Sequence, residues 1–114
     1  MLNHKILNEI IADHAPMSAT LQRVGLVGSR ARDDFKKNSD VDLVFDTGDK
    51  LIDEAVLSAG LLIKSIIRDQ FSTGVDIINY NTILIKANEK TETELITLGY
   101  SLMLKDLKWI WSKN

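Results

Sequence analysis

Residues 24–45 read VGLVGSRARDDFKKNSDVDLVF, and the order of features in this stretch decides the fold. Leu21 to Val27 is predicted as a strand, with Gly25 its weakest position. Gly28-Ser29 then turns the chain. Arg30 to Phe35 is predicted as a short helix with Ser29 as its N-cap. Lys36-Lys37-Asn38-Ser39 is a polar loop, and Val41 to Asp46 is a second strand. Strand alternation sends Val41, Leu43 and Phe45 to one face and Asp40, Asp42 and Val44 to the other.

Asp40 and Asp42 therefore share a face, with alpha carbons roughly 6–7 Å apart. Carboxylates that close repel unless a cation lies between them. Mg²⁺ suits such oxygen donors and commonly completes its shell with substrate phosphates. Upstream, glycine lets a backbone approach a phosphate closely, and a helix start offers unpaired N–H groups. Arg30 and Arg32 flank that turn and are candidates to reach phosphate oxygens, or else a solvated charged face paired with Asp33 and Asp34. The combination reads as a site for a metal-bound nucleoside triphosphate.

Outward from this stretch, Leu2 to Asp13 has apolar residues at helical spacing, and Ala15-Pro16 ends it. Leu51 to about Gln70 reads as a helix broken or bent at Gly60, or with a buried strand over 61–67. Val75 to Tyr80 reads as a third strand, interrupted by Asp76. A charge there needs solvent or a site, since unpaired burial is costly. If this strand lies beside the second, Asp76 completes a three-carboxylate cluster. Further on, Glu92 to Leu98 is predicted helical, Tyr100 to Leu104 as a strand and Lys105 to Trp111 as a terminal helix. Of Trp109 and Trp111, one is assigned to the core and the other stays open between core and a partner-binding patch. His4 and His14 are read as surface residues. Strands alternating with helices give an α/β (α+β) fold with a small mixed sheet.

Composition sets the outer bounds. The 114 residues fit a single domain, 1–114. No apolar run of about 18 residues is present, so no membrane span is expected. There is no cysteine, which excludes disulfides and thiolate metal sites and agrees with a cytoplasmic location. The formal net charge of −2 leaves no basic stripe for direct nucleic-acid binding. Metal is then the expected source of positive charge at a nucleotide.

Gly28 to Leu43 resembles the signature of the minimal nucleotidyltransferases (MNT), a family of the DNA polymerase β-like nucleotidyltransferase superfamily: Gly-Ser, ten residues, Asp-x-Asp, with Ser39 before the first Asp. Val75-Asp76-Ile77-Ile78 resembles the strand that carries that family's third carboxylate, and Leu95 to Leu104 faintly matches its closing elements. The likeness spans roughly Val24 to Leu104. Two departures stand out: Asp33 replaces the family's usual Gly, and Asn81 to Lys90 matches poorly.

The resemblance implies that Asp40, Asp42 and Asp76 hold two Mg²⁺ ions, with Asp76 also positioning or deprotonating an acceptor hydroxyl. It implies that Gly28 and Ser29, with Arg30, Arg32 and Ser39 alongside, hold the triphosphate of ATP. It also implies an antitoxin paired with a HEPN-domain toxin, to which AMP is transferred, in a homo- or hetero-oligomer. The rival expectation is a catalytically weak module on the same fold that silences its partner by stoichiometric binding.

Overall fold

The computed structural model describes residues 1–50, 52–88 and 94–113. The order is α1 (His4–His14), β1 (Arg23–Val27), α2 (Ser29–Arg32), β2 (Val41–Asp46), α3 (Glu54–Phe71), β3 (Val75–Asn79), α4 (Tyr80–Ala87), α5 (Glu94–Asp106) and β4 (Lys108–Ser112). The four strands form one mixed sheet ordered β3-β2-β1-β4. β1 runs antiparallel to both β2 and β4, while β2 and β3 are parallel. A parallel pair needs a long crossover, and α3 supplies it.

Side-chain alternation divides the core between the two faces of the sheet. Val24 and Leu26 of β1 and Val41, Leu43 and Phe45 of β2 join Leu7, Ile11, Ile63 and Ile67 of α1 and α3. Val27 and Val44 point the other way, to Ile83 of α4, Tyr100 and Met103 of α5, and Trp109. Capping fixes where these helices begin. The Ile6 amide donates to Asn3 Oδ1 at 2.9 Å at the start of α1, and the Val56 amide donates to Asp53 Oδ1 at 2.9 Å at the start of α3. Such caps contribute about 0.5–2 kcal/mol each.

Several expectations hold and others are corrected. β2 spans the predicted residues. The alternative strand over 61–67 is instead helix: α3 runs unbroken through Gly60, whose missing side chain lets the helix lie against Phe45 and Ile77. The starts predicted at Leu51 and Glu92 lie outside the described residues. The predicted strand Tyr100 to Leu104 is the interior of α5, and the predicted terminal helix is the edge strand β4. α4 was not foreseen.

β4 forms because the free edge of β1 supplies hydrogen-bond partners for a Trp-Ile-Trp stretch whose bulky side chains suit a pleated surface. The register shifts between Val24 and Gly25, opposite Trp111 and Trp109. This irregularity lets Ile110 and Trp111 both pack on the α1–α3 side while Trp109 packs on the other. Both tryptophans are half-buried, which answers the question left open for the second one.

Gly25 is required by this arrangement. A Cβ at that position would run into Leu107 Cδ1 and lie 3.1 Å from Trp109 Cε3. Gly25→Val is expected to destabilise the fold by about 1–3 kcal/mol, the usual cost of overpacking. Urea denaturation reads this directly, and an unchanged midpoint would refute the packing of Leu107 and Trp109 described here.

Candidate active site

The ladder registers bring the distant acids together. Val27, the last residue of β1, is paired with Asp42, so the turn at Gly28 begins beside that carboxylate. Across the parallel pair, Asp42 is paired with Asp76. Asp42 and Asp76 share the sheet face that α4 and α5 cover elsewhere, at the end where β1 finishes and β2 and β3 begin. Asp40 precedes β2 on that same end, and its Oδ1 lies where a Cβ on Gly74 would come within 2.8 Å.

Gly28 has φ 75° and ψ −157°, a conformation that L residues rarely adopt. A Cβ there would stand 2.6 Å from Asp42 Oδ2. The glycine therefore satisfies two demands at once, a positive φ and close passage beneath a carboxylate. Ser29 follows as the first residue of α2, so the N-cap is Gly28 rather than the predicted Ser29. The one-turn helix stops at Asp33, which sits at φ 65° and ψ 26°. This explains the glycine usual at that position in the minimal nucleotidyltransferases: the backbone is left-handed there, and Asp is among the few L residues that tolerate it.

The electrostatics centre on Asp42. Its carboxyl is held above the usual carboxylate range, mainly by burial and then by the negative charges of Asp76 and Asp40. Among the described residues no ion pair involves any of these three acids. Asp46, on the same strand, is different: Arg23 Nε and Nη2 approach its Oδ2 at 2.9 and 2.7 Å, and the Gly48 amide donates to its Oδ1.

All three acids are hard oxygen donors with no cation paired to them among the described residues, a donor chemistry that suits a divalent ion of the Mg²⁺ type. As they stand, the described side chains do not gather three such groups closely enough to enclose an ion.

The remaining predicted residues divide. Arg32 is exposed and donates to Asp34 Oδ2 at 3.2 Å and Asp106 Oδ2 at 2.7 Å, tying α2 to α5. Ser39 closes a turn in which its Oγ accepts from the Lys36 amide at 2.8 Å. Arg30 is corrected. It does not face a phosphate site: it is 1% exposed, and its N–H groups go to the carbonyls of Leu2 and Ser39. His4 is also more than a surface residue, since its Nε2 donates to the Arg30 carbonyl at 2.9 Å.

A groove of about 640 Å³ opens beside Asp42 and Asp76. Ile52, Val56, Leu57, Leu61, Ile77 and Met103 are among the apolar residues that line it. Its lining is spread over the linker before α3, α3 itself, β3 and α5, so no local motif in the sequence announces it.

A Gly turn thus packs under the Asp42 carboxylate, with Asp40 and Asp76 at the same end of a mixed α/β sheet. The family model described as "Nucleotidyltransferase domain" matches residues 5–98, and the chain belongs to that family. Among curated proteins nothing matches.

Solved structures share the fold. A toxin–antitoxin complex with AMP-PNP aligns at 16% identity and TM-score 0.58, over 99% of this chain and 76% of that one. A mutant of the toxin–antitoxin MntA-HpeT aligns at 15% identity and TM-score 0.58 over the same shares. A tri-AMPylated Shewanella oneidensis HEPN toxin in complex with MNT antitoxin aligns at 12% identity and TM-score 0.55, over 96% of this chain and 73% of that one.

The raised affinity of Asp42 for its proton has a consequence for stability. The unfolded chain ionises this group first, so folding loses stability as pH climbs from the ordinary carboxylate range through the raised folded value. Above that window the penalty is constant, and below it the penalty is absent. Asp42→Asn is therefore expected to raise the thermal unfolding midpoint of the metal-free protein at pH 7 and to leave it unchanged at pH 3. A neutral-pH midpoint that falls in the variant would contradict the electrostatic account.

Proposed function

We propose that this chain is a Mg²⁺-dependent nucleotidyltransferase that moves AMP from ATP to a hydroxyl of a partner protein, as the antitoxin of a HEPN-domain ribonuclease toxin. The observation that carries the reading is the placing of Asp42 between the Gly28 turn and Asp76, with no cation paired to it among the described residues. The family supports group transfer from a nucleotide. The structural neighbours, one solved with AMP-PNP and one with an AMPylated HEPN toxin, support the choice of nucleotide and partner.

In this reading Asp40, Asp42 and Asp76 hold Mg²⁺, two ions in the fullest case. Bound there, the metal neutralises phosphate charge and polarises the phosphoryl oxygens. Gly28 and Ser29 bind phosphate oxygens through backbone N–H groups and the hydroxyl. Arg32 exchanges one of its carboxylate partners for phosphate, and Ser39 holds the turn that delivers Asp40. Asp76, exposed at the mouth of the groove, orients the acceptor hydroxyl and takes its proton. The acceptor oxygen bonds to the α-phosphorus as the bond to the bridging oxygen breaks, and pyrophosphate leaves. Positioning and electrostatics carry such a step, so a domain of this size suffices.

The partner is expected to be a protein because the chain exposes apolar surface away from the site. On α5, Leu95 is 82% exposed, and Leu98 and Leu102 are exposed with it. Spaced three and four residues apart, they lie along one helical stripe. That stripe also favours the second reading, in which the chain silences its partner by binding alone. The half-buried tryptophans no longer support it.

The test is transfer of label from α-labelled ATP with Mg²⁺ onto the protein co-purified with this chain. Wild type is expected to label the partner, and Asp40→Asn/Asp42→Asn to lose at least about a hundredfold in rate. Absence of label, with a stoichiometric complex that survives chelation, would replace the enzyme by the binding module.

A further inference from the structure

Arg30 occupies a place that its position in the motif does not explain. It stands immediately after Gly28-Ser29, yet its guanidinium turns inward. Nε and Nη2 donate to the Ser39 carbonyl at 3.1 and 2.9 Å, and Nη1 donates to the Leu2 carbonyl at 3.2 Å. The Phe35 ring lies 4.4 Å from the guanidinium carbon, and His4 Nε2 donates back to the Arg30 carbonyl. A buried cation whose hydrogen-bond partners are neutral carbonyls is costly to keep. Burial indeed lowers its pKa, and the charge nearby that opposes this is Asp40.

We propose that Arg30 is a positioning residue: by gripping the Ser39 carbonyl with two N–H groups, and the N-terminal segment with a third, it sets where Asp40 stands in the site. The Ser39 carbonyl is part of the peptide unit that leads into Asp40, so fixing that plane fixes where the Asp40 backbone begins. The loop has no regular structure of its own between Asp33 and Val41. Its internal support is the turn from Lys36 to Ser39. Only a planar fork can reach both carbonyls; a lysine presents one nitrogen and cannot span them. Residues Leu2 to His4, far from the motif in sequence, thereby become part of the site's scaffold. The inference rests on the reading of Asp40 as a metal ligand.

Mn²⁺ in place of Mg²⁺, with ATP, makes binding measurable by electron paramagnetic resonance without any transfer reaction. Wild type, Arg30→Lys, Arg30→Gln and Asp42→Asn are compared well below their melting temperatures, alongside hydrogen exchange at the Val41 amide, which donates to the Gly74 carbonyl. Arg30→Lys keeps the charge and length, and so keeps the test open if Arg30→Gln does not fold. The expected result is cooperative melting of Arg30→Lys, about tenfold weaker Mn²⁺–ATP binding, and faster exchange at the Val41 amide. A role in stability alone would lower the melting temperature and leave the affinity of the folded protein unchanged. Wild-type affinity in a folded Arg30 variant overturns the proposal. Should wild type bind no Mn²⁺–ATP, or Asp42→Asn bind it equally well, the metal reading fails separately. Exchange then decides for the clamp: faster in Arg30→Lys upholds it, and unchanged rejects it.

Discussion

The parallel pairing of β2 with β3 is the constraint on which the rest depends. It places Asp42 beside Asp76, an arrangement that charge alone would oppose. Two unit charges about 4 Å apart repel by roughly 1–4 kcal/mol at the effective dielectrics of a protein surface or water. The crossover that enforces the pairing buries Val56, Ile63 and Ile67 of α3. Each such side chain contributes about 1.5–3 kcal/mol. The apolar face of the crossover therefore outweighs the repulsion, and the core holds the acids in register.

What was legible in the sequence follows from which forces are local. Alternation along Val41 to Asp46 is a local property, and the face carrying Asp42 was read from it. The turn at Gly28 is also local and was read, whereas the left-handed stop at Asp33 was not: the predicted helix ran on to Phe35, and the structure ends it at Arg32. The C-terminal third was not legible. Lys108 to Ser112 has apolar residues that suit a helix or a strand, and only the vacant edge of β1 decides between them. Likewise Tyr100 to Leu104 carries no mark of being helical apart from its packing against α4 and the sheet.

Arg30 and Arg32 show the same limit at the level of single side chains. They are two apart in one short helix and identical in type, yet one is buried on carbonyls and the other is exposed on carboxylates. A four-residue helix turns the two side chains by about 200°, so one faces the core and the other solvent. Which is which depends in part on where the N-terminal segment lies, because the Leu2 carbonyl accepts one guanidinium N–H of Arg30 beside the two that go to Ser39, and His4 Nε2 donates to the Arg30 carbonyl. No pattern within Gly28 to Leu43 contains that information. Asp42 and Asp46 pose the converse problem: both lie on the same strand face, and only the presence of Arg23 separates a paired acid from an unpaired one.

The disposition of cations bears on the metal more directly than the motif does. A triphosphate brought to Gly28 would meet three carboxylates. Arg30 is committed to carbonyls, and Arg32 reaches a phosphate only by giving up Asp34 or Asp106. Lys64 lies on the groove, and a single exposed ammonium is a weak counterweight in water. Nucleotide binding without a divalent ion would thus add negative charge to a site already short of compensation. With such an ion, the same three carboxylates change from a barrier into ligands. In the reading adopted here, metal dependence follows from the absence, among the described residues, of free positive charge around Asp42 as much as from the presence of acids.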